Sequence, residues 1–159
     1  MKRPRSLKGI LSALALLLVL GACEEQTICH TYRSLPARGW AKGDTLRFDV
    51  VLPDSNAPCL LTLEVRHSSS FPYRALPIRF ALQGDSLLPV CDTLTLSIAD
   101  EAGNWLGQGG SNLRVVSSPV VSLPLDAKDT CRISLTSVLP DTLLPGVSDV
   151  GLRIAWGTP

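Results

Sequence analysis

Apolar and polar residues alternate with a period of two along most of this chain. Leu46, Phe48, Val50 and Leu52 face one way, while Thr45, Arg47 and Asp49 face the other. Leu61, Leu63 and Val65 alternate with Thr62, Glu64 and Arg66, and Leu76, Ile78, Phe80 and Leu82 repeat the pattern with Pro77 on the opposite face. Leu94, Leu96 and Ile98 alternate with Thr93, Thr95 and Ser97, and Cys131, Ile133 and Leu135 with Arg132, Ser134 and Thr136. Val150, Leu152, Ile154 and Trp156 close the series. Successive side chains of a strand leave opposite sides of the sheet, so each segment predicts a strand with one buried face. The apolar stretch 115–125 is broken by Pro119 and Pro124. Proline cannot donate to a ladder, so this stretch predicts an edge strand or a covering loop. No long proline-free stretch carries helical periodicity.

Turn chemistry separates these segments. Lys42-Gly43-Asp44, Pro53-Asp54-Ser55-Asn56, Gln83-Gly84-Asp85, the loop 100–104 and Leu144-Pro145-Gly146 bring together Gly, Pro, Asn and Asp. Gly supplies positive φ, Pro presets the first turn position, and Asx side chains bond the nearby backbone. Many short strands joined by such turns predict an all-β fold, a single jelly-roll-like β-sandwich.

The N-terminus is of a different kind. Lys2, Arg3, Arg5 and Lys8 precede the apolar run 10–20, and Gly21 and Ala22 lead into Cys23. A basic head, a short apolar run and small residues before a cut are the marks of an export signal. The run is shorter than the roughly 20 apolar residues of a membrane span. Leu20-Gly21-Ala22-Cys23 resembles a lipobox, which predicts removal of residues 1–22 and acylation of Cys23. A covalent lipid is then the membrane anchor, each buried CH₂ contributing about 0.8 kcal/mol. Residues 23–38, with few apolar positions, read as the lipidated N-terminus and a tether, of which Tyr32 and Leu35 could dock on the domain. Residues 39–159 read as the β-sandwich domain.

Removing the signal changes the charge and the cysteine count. The chain has 15 basic and 14 acidic residues, and the signal holds four of the basic ones, leaving 11 against 14 and a net charge of −3. The remaining Lys and Arg are scattered, which excludes the concentrated basic footprint that nucleic acid requires. Four cysteines remain beside Cys23: Cys29, Cys59, Cys91 and Cys131. In an exported protein these permit disulfides in any of three connectivities. Their wide spacing supports neither a zinc site nor a redox pair, and no cofactor beyond the lipid is expected.

Several side chains bear chemistry. His67 ends a strand and precedes Ser68, Ser69 and Ser70. Sequence neighbours at a strand end seldom give a nucleophile and base the geometry they need, so His67 is expected as a solvated or hydrogen-bonded turn residue. His30 could share a metal with it only if the tether folded back. Asp100 and Glu101 sit in a glycine-containing loop without calcium-hand spacing, which reads as a tight turn. Trp105, beside Gly107-Gln108-Gly109-Gly110, could offer a platform to a sugar or a partner loop, or fold onto the end of the sandwich. No catalytic residue is expected, and Trp105, Asp100, Tyr73 and His67 are the candidates for contact with a partner or a glycan.

Leu35-Pro36, Trp40 and Asp44-Thr45-Leu46 stand in order before Arg66-His67 and Phe71-Pro72-Tyr73. Asp92-Thr93, then Gly103, Trp105, Gly107 and Gly109, follow. Leu144-Pro145-Gly146-Val147 and Asp149-Val150-Gly151-Leu152-Arg153-Ile154 complete the set. In this order the segments resemble the gliding motility lipoproteins of the GldH type, found in the Bacteroidota. Ala75 stands where the family pattern has asparagine, and the four extra cysteines lie outside that pattern. The resemblance implies an accessory lipoprotein, without catalysis, of the gliding apparatus and its associated secretion system. It would be held in the outer membrane by lipid, on the periplasmic or the outer face, among other gliding or secretion lipoproteins and envelope proteins. The alternative is a surface lipoprotein whose sandwich binds carbohydrate.

Overall fold

A computed structural model describes residues 26–53, 57–84, 89–110, 112–123 and 130–157. Cys23 and the signal lie outside the described residues, as do Asp54, Ser55, Asn56, Asp85, Pro124 and Leu125. Every regular element among the described residues is a strand. In chain order these are β1 (Gln26–Ser34), β2 (Trp40–Ala41), β3 (Leu46–Val51), β4 (Cys59–His67), β5 (Ala75–Gly84) and β6 (Val90–Ser97). They continue as β7 (Gln108–Gly109), β8 (Arg114–Ser117), β9 (Val121–Leu123), β10 (Thr130–Ser137), β11 (Leu143–Leu144) and β12 (Val147–Trp156).

Two antiparallel sheets form the sandwich. One runs β1-β12-β4-β8-β7, with β9 also paired to β4, and the other runs β3-β10-β5-β6. A two-stranded ribbon, β2 with β11, stands apart from both. The alternating apolar residues are the ones that meet in the register. Val150, Leu152 and Ile154 of β12 stand opposite Val65, Leu63 and Leu61 of β4. Ile133 of β10 lies between Phe48 and Leu82, and Leu135 between Leu46 and Phe80. These side chains, with Trp40, Leu76, Ile78, Leu96 and Trp156, make one buried core. Pro77 is tolerated inside β5 because the ladder with β10 ends at Ile78, one residue away. The stretch expected as an edge strand or cover supplies β8 and β9 on the outer side of β4.

The tether is where the structure departs from the sequence reading. Gln26–Ser34 is a nine-residue strand laddered to β12 from Gln26↔Trp156 to Ser34↔Asp149. It lacks apolar alternation because it is an edge strand, most of whose residues stay exposed. The domain therefore begins well before residue 39.

No disulfide joins the four described cysteines. Cys29 is on β1, whose Arg33 lies 5.7 Å over the ring of Phe48 on β3, so these two edges share one side of the sandwich. Cys91 is exposed on β6, which packs against β8 on the other side, so Cys29 and Cys91 are kept apart. Cys59 and Cys131 are buried in the core. Burial, and after it the neighbouring Cys131, pushes the Cys59 thiol up to about 12. Reactivity follows the thiolate and its access. Iodoacetamide at neutral pH should therefore label Cys91 in the folded protein, and label Cys59 and Cys131 only after denaturation, as read by peptide mass spectrometry.

Candidate functional site

One end of the sandwich gathers most of the residues singled out in the sequence. His67 is the last residue of β4, and its alternation places it on the core side with Val65. It is 1% exposed, so of the two expected states, solvated or hydrogen-bonded, it takes the second. The reason is cover: its ring lies 5.5 Å from that of Trp105 and 6.2 Å from that of Phe71. Phe71 in turn meets Tyr73 edge-on at 6.1 Å, and the Tyr73 hydroxyl donates to Asp141 Oδ2 at 2.6 Å. His67 Nδ1 donates to the Ser68 carbonyl at 3.3 Å, which selects the tautomer, while Nε2 is buried without a hydrogen-bond partner. A cavity of about 10 Å³ adjoins the ring beneath Trp105, room for about one water.

The loop carrying Trp105 is shaped by Asp100. Ala99 and Trp105 form a bridge, and Asp100 accepts from Asn104 through both oxygens, from the backbone N–H at 2.8 Å and from Nδ2 at 2.9 Å. Those bonds hold its carboxyl below the ordinary carboxylate range. Asp100 is thus spent on its own turn. Ser68 Oγ is likewise spent on Ser70 Oγ at 2.7 Å. His67, Tyr73 and Trp105 share this end, and Asp100 sits behind them as the brace of the loop.

Burial is the main force that pushes the His67 imidazole below its usual range, with the Arg114 charge adding to it and the Ser68 carbonyl opposing it. A folded-state value below the unfolded value of about 6.5 means that the unfolded chain takes up a proton first as pH falls. The stability from neutral His67 is complete above about pH 6.5 and declines below it until the folded value is passed. The melting temperature of the wild type should fall more steeply between about pH 7 and pH 5 than that of His67→Phe, in parallel thermal scans.

A second cluster escaped the sequence reading because half of it was assigned to the tether. On the outer face of the large sheet, Tyr32 of β1 donates its hydroxyl to Glu64 Oε2 of β4, and His30 Nε2 reaches the same oxygen at 3.0 Å. The ring of Tyr32 lies across Gly151 of the intervening β12, where a Cβ would stand 2.6 Å from its Cε1. The Arg66 guanidinium lies 4.0 Å over that ring. Burial pushes the Glu64 carboxyl up, but the Tyr32 and His30 bonds and the charges of His30 and Arg153 outweigh it, leaving it below the ordinary range. Burial, then the bond to Glu64, pushes the Tyr32 hydroxyl up to about 12. The legible signal was the β-forming run Thr27, Ile28, Thr31 and Tyr32 ahead of Pro36. His30 and His67 lie on opposite faces of the sheet, so they share no metal. Among the described residues no group of three or more His, Cys, Asp or Glu is placed to hold one, and no helix is long and apolar enough to cross a membrane.

The pattern of the family described as GldH lipoprotein matches residues 27–154. The chain belongs to the GldH lipoprotein family. The match begins inside β1 and ends inside β12, so the family unit includes the strand that the sequence reading left in the tether. The gliding motility lipoprotein GldH of Flavobacterium johnsoniae is 24% identical over 153 residues, covering 92% of this chain and 94% of that relative. Among solved structures, the globular domain of zebrafish complement 1qA protein aligns at 12% identity and a TM-score of 0.37, covering 86% of this chain and 98% of its own. Eiger TNF from S. frugiperda aligns at 11% identity and a TM-score of 0.33, covering 86% and 92%. Within the GldH unit, the turn at Leu144-Pro145-Gly146 packs against the backbone of Ser70 and Phe71. Trp40 donates its indole N–H to the Asp44 carbonyl at 3.0 Å. Two of the motifs that carried the resemblance are thus engaged with backbone.

Proposed function

We propose that this protein is an accessory of the gliding motility apparatus and its associated secretion system, anchored in the outer membrane by lipid on Cys23 and acting through contacts. The observation that carries this reading is the family match, which spans β1 to β12 and follows directly on a lipobox-like tetrapeptide. The reading as a non-catalytic protein is supported by the fate of the one histidine beside serines. His67 is packed under Trp105, and Ser68 is bonded to Ser70. The reading as a carbohydrate binder loses its platform for the same reason, since Trp105 is half-buried against His67 and Asp100 is engaged with Asn104. Glu24 and Glu25 directly after Cys23 resemble the acidic export tags of surface lipoproteins, which favours the outer face.

In-cell crosslinking with identification of the captured proteins tests this function. Capture of envelope subunits of the gliding and secretion machinery is the expected result. Capture of periplasmic metabolic enzymes alone would count against it.

A further inference from the structure

The start of β1 lies at the end of the sandwich opposite His67. Gln26, the first residue of β1, pairs with Trp156 at the end of β12, and Trp156 pairs with Cys59 at the start of β4. The chain leaves β4 at His67 and turns back into β5 past Phe71, so β5 ends where β4 begins. In that facing sheet Gly84, the last residue of β5, pairs with Cys131 near the start of β10. Thr130 beside it pairs with Val51, the last residue of β3. Cys91, exposed on β6, pairs with Ala81 close to the same end.

Only Glu24 and Glu25 separate Cys23 from Gln26. Three residue steps reach at most about 11 Å, whatever conformation they take. A lipid on Cys23 therefore keeps the start of β1 within about 11 Å of the bilayer surface. The nine residues of β4 span about 27 Å, more than twice that reach. Val51 stands at the same corner, since the edges of β1 and β3 share one side of the sandwich. At 71% it is the most exposed large apolar side chain among the described residues. The flanks have a different character. Arg47, Asp49 and Arg132 are exposed on the small sheet, and Glu64 and Arg66 project from the large one. Laying a charged flank on lipid buries no apolar area, so the short tether decides which end meets the bilayer.

We infer that the domain stands on the membrane by the end where β1 starts and β3 ends, with the His67, Tyr73 and Trp105 end pointing away. That orientation rests on the reading of Cys23 as the acylated residue. It leaves the His67 end about 30 Å from the lipid, a surface that fits the extramembrane domain of a partner rather than a membrane-embedded segment.

The test places the acylated, full-length protein in phosphatidylcholine vesicles that carry a headgroup nitroxide lipid. Cys29→Ser leaves Cys91 as the accessible thiol for a bimane label near the anchored end. With Cys29→Ser and Cys91→Ser together, Ser69→Cys takes the same label on an exposed residue at the other end. The nitroxide should quench the label at Cys91 about threefold more than the label at position 69, the two being separated by the length of the sandwich. A ten-residue Gly-Ser insert between Glu25 and Gln26 extends the reach to about 45 Å and should bring the two sites within about 1.5-fold. Melting temperatures show that each variant is folded. Equal quenching at the two sites without the insert, stronger quenching at position 69, or a ratio unmoved by the insert would overturn the inference. Protein that fails to float with the vesicles would overturn the lipid anchor and this orientation with it. Floating protein with equal quenching overturns the orientation alone.

Discussion

Cys23→Ser should abolish palmitate labelling of the protein and remove it from the outer-membrane fraction. The physical argument is one of chain number. A single acyl chain gives marginal, reversible binding, whereas several together hold a soluble domain durably at about 0.8 kcal/mol per buried CH₂. The described residues are those of the β domain that this lipid would hold. They contain no helix able to cross a membrane, and the large exposed apolar side chains, such as Val51, Leu113 and Val120, are scattered over different strands and loops. The variant should also keep its 22-residue signal, since the expected cut depends on the acylated thiol. Labelling with radioactive palmitate, followed by fractionation, separates the outcomes. Undiminished label on Cys23→Ser would place the lipid elsewhere.

Gly146→Ala should be among the most destabilising single-methyl changes in the domain. Gly146 has φ +81° and Gly43 has the same φ, yet their surroundings differ completely. A Cβ at Gly43 meets nothing within 4 Å, while one at Gly146 would run into the backbone of Phe71 and Ser70. Gly43→Ala therefore reports the left-handed backbone alone, about 1–2 kcal/mol. Gly146→Ala adds a clash with main chain that cannot swing aside, for a total of about 3–4 kcal/mol. In a domain of this size that corresponds to a drop of roughly 10 °C or more in melting temperature. Thermal unfolding of the two variants side by side checks the difference. Equal losses would mean that the turn can move away from Phe71, and with it the cover over His67.

How much of this was legible in the sequence depended on whether a residue's role is local. The long strands β3, β4, β5, β6, β10 and β12 were visible because each buries one face, and burial of one face writes alternation into the sequence. β1 was not visible, since an edge strand with most residues exposed is free of that constraint. The short strands β2, β7 and β11 were hidden for a different reason. Two residues are too few for a period, and only long-range contact defines them. The same limit governed the site. Asp100 could be read as a turn residue from its neighbours, Gly103 and Asn104. The burial of His67 could not, because Trp105, which covers it, lies 38 positions away in the chain. Glu64 looked like any outward strand residue until β1 brought Tyr32 and His30 against it. Family resemblance supplied what periodicity lacked, since its ordered motifs mark turns and ends, the places where a β-sandwich sequence is least periodic.

The most direct test of the account as a whole is deletion of the gene in a host that both glides and secretes adhesins to its surface. Colony spreading and surface adhesin are the two quantities to measure. Both should be lost, both should return with the wild-type gene, and neither should return with Cys23→Ser. Spreading and surface adhesin at wild-type levels in the deletion strain would contradict the account.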